Sequence, residues 1–255
     1  MIDIHCHFLP GVDDGPRTLA EAVAMVEMAV SDGITGMVAT SHCNDRYRYS
    51  LERNRKLLSE LSAVVGARVA LALGCDLHLS YENLQVLLAG DRSYTINQGP
   101  YVLVEFADYA IPPQLVDILH QLRLKGLIPV VTHPERNPLL RRDLSRLRQL
   151  VAMGCPVQVT AGSLLGQFGP AARQTVEELL CQQMVHVVAS DAHDTKHRPP
   201  RLSEARDAVA RAFGEEQAGA LFRDNPRAVV DGTPLPYFPE PVASRRKRGF
   251  SFFGR

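Results

Sequence analysis

Histidine and carboxylate residues recur along this chain at the points where short apolar runs end. Five of the 9 histidines lie at such points together with four carboxylates: His5, His7, Asp14, His42, Asp76, Glu105, His133, Asp191 and His193. Unpaired carboxylates are costly to bury, so a bound cation is the natural explanation for gathering them. Imidazole and carboxylate together suit zinc, iron or manganese and do not single out one metal. The pattern predicts a metal centre.

The number of candidate ligands would over-coordinate a single ion, so two or three ions are predicted. Ions ~3.5–4 Å apart can share a hydroxide, which forms near neutral pH because the metals lower the pKa of water. Such a hydroxide is a competent in-line nucleophile for phosphorus. Arg136 and Arg198 could each hold phosphate oxygens through paired N–H donors. The chemistry that we expect is hydrolysis of phosphate monoesters, with Asp194 or a metal-bound water as the general acid.

Seven apolar runs predict the strands that position these residues. They are rich in Val, Ile and Leu without clean alternation, as in parallel strands that are covered on both faces. They span residues 2–6, 34–40, 69–77, 101–105, 128–132, 156–160 and 185–190. Segments of helical period separate them, which favours one α/β domain with a parallel sheet. In a parallel barrel the carboxyl ends of all strands open on one face, where the candidate ligands would meet.

Three of the intervening helices have clear end signals. Thr18 with Glu21 forms a capping box, and Gly33 follows the end of that helix. A second helix is predicted from the proline pair at 112–113 to Gly126. A third is predicted from about residue 139 to residue 153.

Composition excludes several other classes of protein. The formal net charge is +0, so general attraction to nucleic acid is not indicated. No apolar run approaches the ~20 residues that span a bilayer, and no secretory signal opens the chain, so we expect a cytoplasmic protein. None of the five cysteines has an arginine six positions on, which excludes the cysteine-phosphatase loop; they read as small buried residues: Cys6, Cys43, Cys75, Cys155 and Cys181.

Composition changes near residue 232. Residues 1–232 form the predicted catalytic domain, and residues 233–255 form a tail that is first proline-rich, then basic. We expect this tail to be loosely ordered. It is either a solvated segment or a weak tether to anionic lipid, with Phe250, Phe252 and Phe253 as shallow anchors.

The motifs resemble a known family over about residues 1–230. The matching pieces are MIDIHCH, VDDGP, ATSH, VEF, HPER, SDAH followed by RPP, and DNPR at 224–227. They resemble the PHP (polymerase and histidinol phosphatase) superfamily. VDDGP and RPP point within it to the bacterial CpsB/CapC/YwqE-type protein-tyrosine phosphatases.

The resemblance implies a distorted seven-stranded PHP barrel with three divalent ions, for which we expect manganese, with iron and zinc as alternatives. It assigns His5, His7 and Asp191 to the first ion, Glu105 and His133 to the second, and Asp14, His42 and His193 to the third. Asp76 would bridge the first two ions, although the family usually has the longer glutamate there. Arg136 and Arg198 match the phosphate-binding arginines.

The resemblance also implies a substrate, which is the tyrosine-rich C-terminal tail of a bacterial tyrosine autokinase that controls capsule or exopolysaccharide export. Two alternatives remain open. One is a PHP phosphatase for histidinol phosphate or a sugar phosphate, and the other is a non-catalytic binding module that keeps the fold. The sequence makes no prediction of the oligomeric state.

Overall fold

The computed structural model of the chain describes residues 1–242. The basic part of the predicted tail and its three phenylalanines lie outside the described residues. Among the described residues, none of the helices has the length and hydrophobicity needed to cross a lipid bilayer.

Seven parallel strands form one sheet in which each strand pairs with the next along the chain. The strands are β1 (Ile2–Cys6), β2 (Gly36–Cys43), β3 (Ala70–His78), β4 (Tyr101–Glu105), β5 (Ile128–Thr132), β6 (Val157–Thr160) and β7 (Val187–Ala189). Each coincides with a predicted apolar run, so the predicted seven-stranded α/β fold is confirmed. β2 extends beyond the predicted run to Cys43, so His42 lies within a strand, where it is the register partner of Asp76 on β3.

The sheet curves into a nearly closed barrel whose seam joins β1 to the segment after β7. The Asp191 N–H donates to the His5 carbonyl at 2.8 Å, and the His7 N–H donates to the Ala192 carbonyl at 2.8 Å. The buried Asp3 carboxylate accepts from the Ser190 N–H at 3.1 Å and from its hydroxyl at 2.5 Å. The seam therefore runs directly through candidate metal ligands.

Helices cover the outside of the barrel. They are α1 (Leu19–Ser31), α2 (Leu51–Val65), α3 (Tyr81–Leu88), α4 (Leu115–Leu124), α5 (Pro138–Arg142), α6 (Leu144–Ala152), α7 (Ala161–Leu164), α8 (Gly169–Cys181), α9 (Ser203–Phe213), α10 (Glu215–Gly219) and α11 (Asn225–Asp231). Short 3-10 turns occupy Gly66–Arg68 and Ile96–Gln98, and a π-helical turn occupies Ala220–Asp224. The capping box is confirmed, because the Glu21 N–H donates to Thr18 Oγ1 and the Thr18 N–H donates to Glu21 Oε2.

Two helix predictions need correction. The helix expected over residues 139–153 is two helices, α5 and α6, separated at Asp143. The Asp143 carboxylate accepts from the Arg146 N–H at 3.2 Å and so starts a new helix instead of continuing the old one. The helix expected from the proline pair begins two residues later, at Leu115, whose N–H bonds to the Pro112 carbonyl.

The first part of the predicted tail packs across the amino-terminal end of the barrel. Tyr101 at the start of β4 donates its hydroxyl to the Thr233 carbonyl at 2.7 Å. Asn225 bonds through its side chain to the His186 carbonyl and to both backbone groups of Tyr237. The DNPR motif therefore fastens this segment at the end of the barrel opposite the candidate ligands. The domain boundary at residue 232 stays a prediction.

Candidate metal centre

The carboxyl ends of the strands bring together all nine side chains that the sequence singles out. Their ligand atoms form overlapping groups in which every atom lies within 4.8 Å of the others. Within residues 1–242 these groups are His7–Asp14–His42–His193, His5–His7–Asp76, His5–His133–Asp191 and His42–Asp76–Glu105. Because the groups share members, they form one continuous cluster and not several separate sites.

His5 and His7, at the end of β1, are completely buried. The Nδ1 atom of His5 lies 2.9 Å from Oε1 of Gln158, and Nδ1 of His7 lies 2.9 Å from Oδ2 of Asp13. An amide oxygen and an ionised carboxylate accept hydrogen bonds, so each imidazole carries its proton on Nδ1. The two Nε2 atoms lie 3.3 Å apart. Once Nε2 is deprotonated, the two lone pairs would be directed into the same small space, as ligation requires.

The loop after β1 carries Asp13 and Asp14 into the cluster. Asp13 also accepts from the N–H groups of His42 and Gly15, both at 3.1 Å. A Cβ atom on Gly15 would lie 2.3 Å from the His7 carbonyl oxygen, so only glycine allows this approach. Asp14 is left at the rim, where its Oδ1 lies 3.4 Å from Nε2 of both His42 and His193.

Asp76 lies at the centre of the cluster. Its side chain is completely buried, with Oδ2 3.0 Å from Nδ1 of His42 and 3.6 Å from Nε2 of His5. Neither carboxylate oxygen makes a well-directed hydrogen bond within the described part of the chain, and the same is true of Nδ1 of His42. A buried carboxylate without hydrogen bonds is costly. A divalent cation bound by Asp76 would satisfy this carboxylate.

Two imidazoles of the cluster are already in the form that binds a metal. Burial lowers the pKa of His133 to about 3, aided by the nearby Arg136. Burial likewise lowers the pKa of His193 to about 4. A histidine must be neutral to ligate, so near neutral pH neither side chain has to release a proton.

The carboxylates of the cluster differ in the direction of their pKa shifts. Burial raises the pKa of Glu105 to about 8, and repulsion from Asp76 adds to that shift. Burial would also raise the pKa of Asp191, but His5, His7 and two arginines outweigh it and hold that pKa well below its usual range. Added positive charge would allow Glu105 to ionise next to Asp76. The nitrogen and oxygen donors therefore fit divalent ions.

Two candidate ligands have strained backbones. His133, directly after β5, has φ +31°, and Asp191, after β7, has φ +52°. Non-glycine residues with positive φ are uncommon, and they cluster at functional sites. The turn at each position directs the side chain back over the open end of the barrel.

Arg136 and Arg198 lie at the edge of the cluster and share one carboxylate oxygen. Nη1 of Arg136 and Nη2 of Arg198 both contact Oδ2 of Asp191, the latter at 2.5 Å. The arginine side chains are 26% and 27% exposed, so each guanidinium can also reach a ligand from solvent. The other oxygen, Oδ1, lies 3.4 Å from Nε2 of His5 and of His7. Asp191 thus links the arginine pair to the histidines.

Sequence reasoning missed several residues that support this site. Asp13 and Gln158 orient histidines, Asp3 closes the seam, and the buried Glu135 accepts from the Thr160 N–H at 2.9 Å, which ties β5 to β6. A weak signal existed for two of them. Asp3 and Gln158 are the polar residues inside otherwise apolar strands, IDIHC and VQVT. Buried polar residues at such positions need partners.

Residues 1–231 match the family model described as capsular polysaccharide synthesis, CpsB/CapC. The chain belongs to this family. The tyrosine-protein phosphatase YwqE of Bacillus subtilis is 34% identical over 254 residues, which cover 98% of this chain and 100% of that protein. The tyrosine-protein phosphatase CpsB of Streptococcus pneumoniae is 30% identical and covers 90% of this chain and 98% of its own.

Solved structures agree on the fold. The crystal structure of a metal-dependent tyrosine phosphatase, from work on Bacillus subtilis YwqE and Streptococcus pneumoniae CpsB, matches with a TM-score of 0.87 and 32% identity. The match covers 95% of this chain and 100% of that one. A putative histidinol phosphatase from Listeria monocytogenes matches with a TM-score of 0.54 at 10% identity, over 77% of this chain and 97% of that one. The second match shows a shared barrel alone.

Proposed function

We propose that this chain is a metal-dependent protein-tyrosine phosphatase. The observation that carries the proposal is the continuous cluster of nine histidine and carboxylate side chains with two partly exposed arginines beside it. Its family and its relatives named as tyrosine phosphatases support the same reaction. Bound divalent ions would supply a nucleophile from water at neutral pH and neutralise charge on the phosphate.

For the metal we propose three ions, most simply manganese. His5, His7 and Asp191 would hold the first, Glu105 and His133 the second, and Asp14, His42 and His193 the third, with Asp76 between the first two. Support comes from the observed groups, since the third set lies together with His7 in one of them. Asp76 reaches His5 and His42 despite being shorter than glutamate, because its strand runs directly beside β2.

The arginines would bind the substrate phosphate. Asp191 contacts both guanidinium groups at one edge of the cluster, so the two arginines already lie close together when a phosphate arrives. Two guanidiniums can hold separate oxygens of one phosphate and offset the charge that develops during transfer. This role makes Arg136 and Arg198 the proposed catalytic residues.

A phenolate leaving group suits this site. Its pKa is near ~10, lower than that of an alkoxide, so departure needs less help from an acid. The hydrogen bonds that Asp194 accepts disfavour it as the source of that help, compared with a metal-bound water. Although burial would raise its pKa, Asp194 accepts from the N–H groups of His197 and Lys196, both at 2.6 Å, and these bonds lower its pKa. Because a phenolate departs with less help from an acid, we expect the site to prefer phosphotyrosine over alkyl phosphates.

The substrate that we propose is a phosphotyrosine protein, specifically the C-terminal tail of a bacterial tyrosine kinase that controls capsule or exopolysaccharide synthesis. The match to a capsular polysaccharide synthesis family supports this choice. Catalysis would reside in residues 1–232, which contain every side chain of the cluster.

The test is phosphate release from a phosphotyrosine peptide, a phosphoserine peptide and histidinol phosphate, with added manganese and again after chelation. We expect turnover of phosphotyrosine alone, abolished by the chelator and restored by manganese. Arg136→Ala should lose this activity, and Arg142→Ala, an exposed arginine of α5, should keep it. Turnover of histidinol phosphate alone would overturn the substrate assignment. Absence of any turnover would favour a binding role.

A further inference from the structure

Phe168 contacts both arginines of the proposed phosphate site. The Cζ atom of Arg136 lies 4.5 Å from the centre of the Phe168 ring, and that of Arg198 lies 5.9 Å from it. Both distances are within the ~6 Å range in which a guanidinium is attracted to an aromatic face. One ring therefore interacts with both cations, which approach Asp191 as well.

The position of Phe168 is fixed by its own surroundings. It is the residue directly before α8, in a turn where the Gln167 N–H bonds to the Gly162 carbonyl at 2.8 Å. A Cβ atom on Gly162 would lie 3.0 Å from Cε2 of Phe168 and 2.6 Å from Oε1 of Gln167. The ring edge thus fits into space that the absent side chain of Gly162 leaves free.

The arginines need such a support. An arginine side chain has many rotamers, so two free guanidiniums would rarely lie side by side. Asp191 cannot alone fix them, because one carboxylate oxygen sets where a guanidinium contacts it but not the plane in which it lies. An aromatic face does set that plane, since guanidinium groups stack on it.

We propose that Phe168 is a positioning residue that holds Arg136 and Arg198 in register to bind one phosphate. The proposal rests on the function proposed above, in which these two arginines hold the substrate phosphate. Asp191 contacts the guanidiniums through their N–H groups and Phe168 contacts them through its ring, so each arginine keeps other N–H donors for the ligand. Neither the family's motifs nor the spacing of residues in the sequence indicates this role.

Binding of inorganic phosphate to manganese-loaded protein, measured by isothermal titration calorimetry, tests the proposal. Phe168→Leu removes the aromatic face. The Phe168 ring is half-buried beside a cavity of about 170 Å³, so this substitution opens no void in the core. We expect Phe168→Leu to weaken phosphate binding about 5- to 30-fold and Phe168→Tyr to restore it. The matched control is Phe238→Leu, because Phe238 packs on His186 at the opposite end of the barrel.

Two further measurements separate positioning from a general structural effect. Metal content and melting temperature should be the same in Phe168→Leu as in the unmodified protein. In an Arg136→Ala background, Phe168→Leu should cost less than in the unmodified protein, because one of its two contacts is already gone. Unchanged phosphate binding in Phe168→Leu, a loss that Phe168→Tyr does not repair, or fully additive effects would each overturn the proposal.

These binding measurements need no turnover. If the unmodified protein bound phosphate through Phe168 and the arginines but did not hydrolyse phosphotyrosine, the proposed function would fail while the role of Phe168 stood. If phosphotyrosine were hydrolysed but Phe168→Leu bound phosphate normally, the proposed function would stand and the proposed role of Phe168 would fail.

Discussion

The Nδ1 atom of His7 lies 2.9 Å from the Oδ2 atom of Asp13. Both side chains are buried, and the same carboxylate also accepts from the backbone N–H groups of Gly15 and His42. Asp13 is therefore engaged in supporting its neighbours and is not a member of the ligand groups, although it adjoins Asp14 in the sequence. It orients one candidate ligand and fixes the strand that carries another.

Removing this support should weaken metal binding without removing a ligand. We expect Asp13→Ala to lower the affinity for manganese about 10- to 100-fold, because His7 loses the partner that fixes its tautomer and ring orientation. Metal titration by calorimetry measures this change. Asp45→Ala, an exposed aspartate on the loop after β2, is the control and should bind metal normally. Equal affinities for the two variants would contradict the supporting role of Asp13.

Removing a ligand outright should have a larger effect. His42 lies 3.4 Å from Asp14 and 3.0 Å from Asp76, so His42→Ala should reduce hydrolysis of phosphotyrosine peptide to the level of chelated protein. Circular dichroism should show an intact fold, since the side chain is partly exposed. His120→Ala, on the outer face of α4, should retain activity. Ordinary activity in His42→Ala would refute the metal assignment.

Substitutions of Asp76 test whether aspartate binds metal at the position where the family usually has glutamate. Asp76→Asn keeps nearly the same shape but removes the negative charge, so we expect it to bind fewer metal ions and to lose activity. Asp76→Glu keeps the charge and should retain bound metal. Metal content measured by elemental analysis after gel filtration decides between these outcomes. If Asp76→Asn kept its full metal content, Asp76 would not be a ligand.

Metal removal should destabilise the fold. Without cations, the neighbouring carboxylates of Glu105 and Asp76 repel each other, and this repulsion contributes to the raised pKa of Glu105. Manganese at a hundredfold excess over its dissociation constant should stabilise the folded state by about 2.7 kcal/mol per site. Differential scanning fluorimetry should therefore show a lower melting temperature in excess chelator and recovery with manganese. An unchanged melting temperature would show that no ion stabilises the fold.

His186 should make stability depend on pH independently of the metal centre. Burial lowers its pKa from 6.5 to about 3, and its Nδ1 atom accepts from the Val157 N–H at 3.1 Å. The unfolded chain therefore binds a proton at His186 before the folded protein does, so this stabilising contribution is complete above pH 6.5 and is lost as the pH falls toward 3.

The measurement is thermal unfolding from pH 7.5 to pH 5 in excess chelator for the unmodified protein and for His186→Gln. The variant lacks the group that titrates in this range. We expect it to be less stable at pH 7.5 but to lose less stability on acidification. Parallel pH profiles for the two proteins would show that His186 does not contribute.

The sequence alone was sufficient to predict elements that are determined by neighbouring residues. Each β-strand follows from an apolar run, and α1 begins at a capping box formed by neighbouring residues. The break at Asp143 was not predictable with the same ease, because the helical period continues across it and only the side-chain bond to Arg146 reveals it. Competition between a side chain and the backbone leaves little trace in hydrophobic periodicity.

The sequence analysis named the nine side chains that the structure brings together, but it did not name the residues that support them. Ligands are recognisable because histidine and carboxylate at successive strand ends are unusual residue types for such places. Gln158 and Phe168 are ordinary residues whose roles depend on partners far away in the chain, His5 in one case and Arg136 in the other. Contacts of that kind are created by closure of the barrel.

The seam of the barrel lies between two ligands assigned to the same proposed ion. The His5 carbonyl accepts from the Asp191 N–H, while the side chains of the same two residues converge on the cluster. A bound ion would therefore act as a cross-link between the first and last strands of the sheet. Transient opening of the seam would separate His5 from Asp191 and release the ion. The exchange rate of the metal would then report how often the barrel opens.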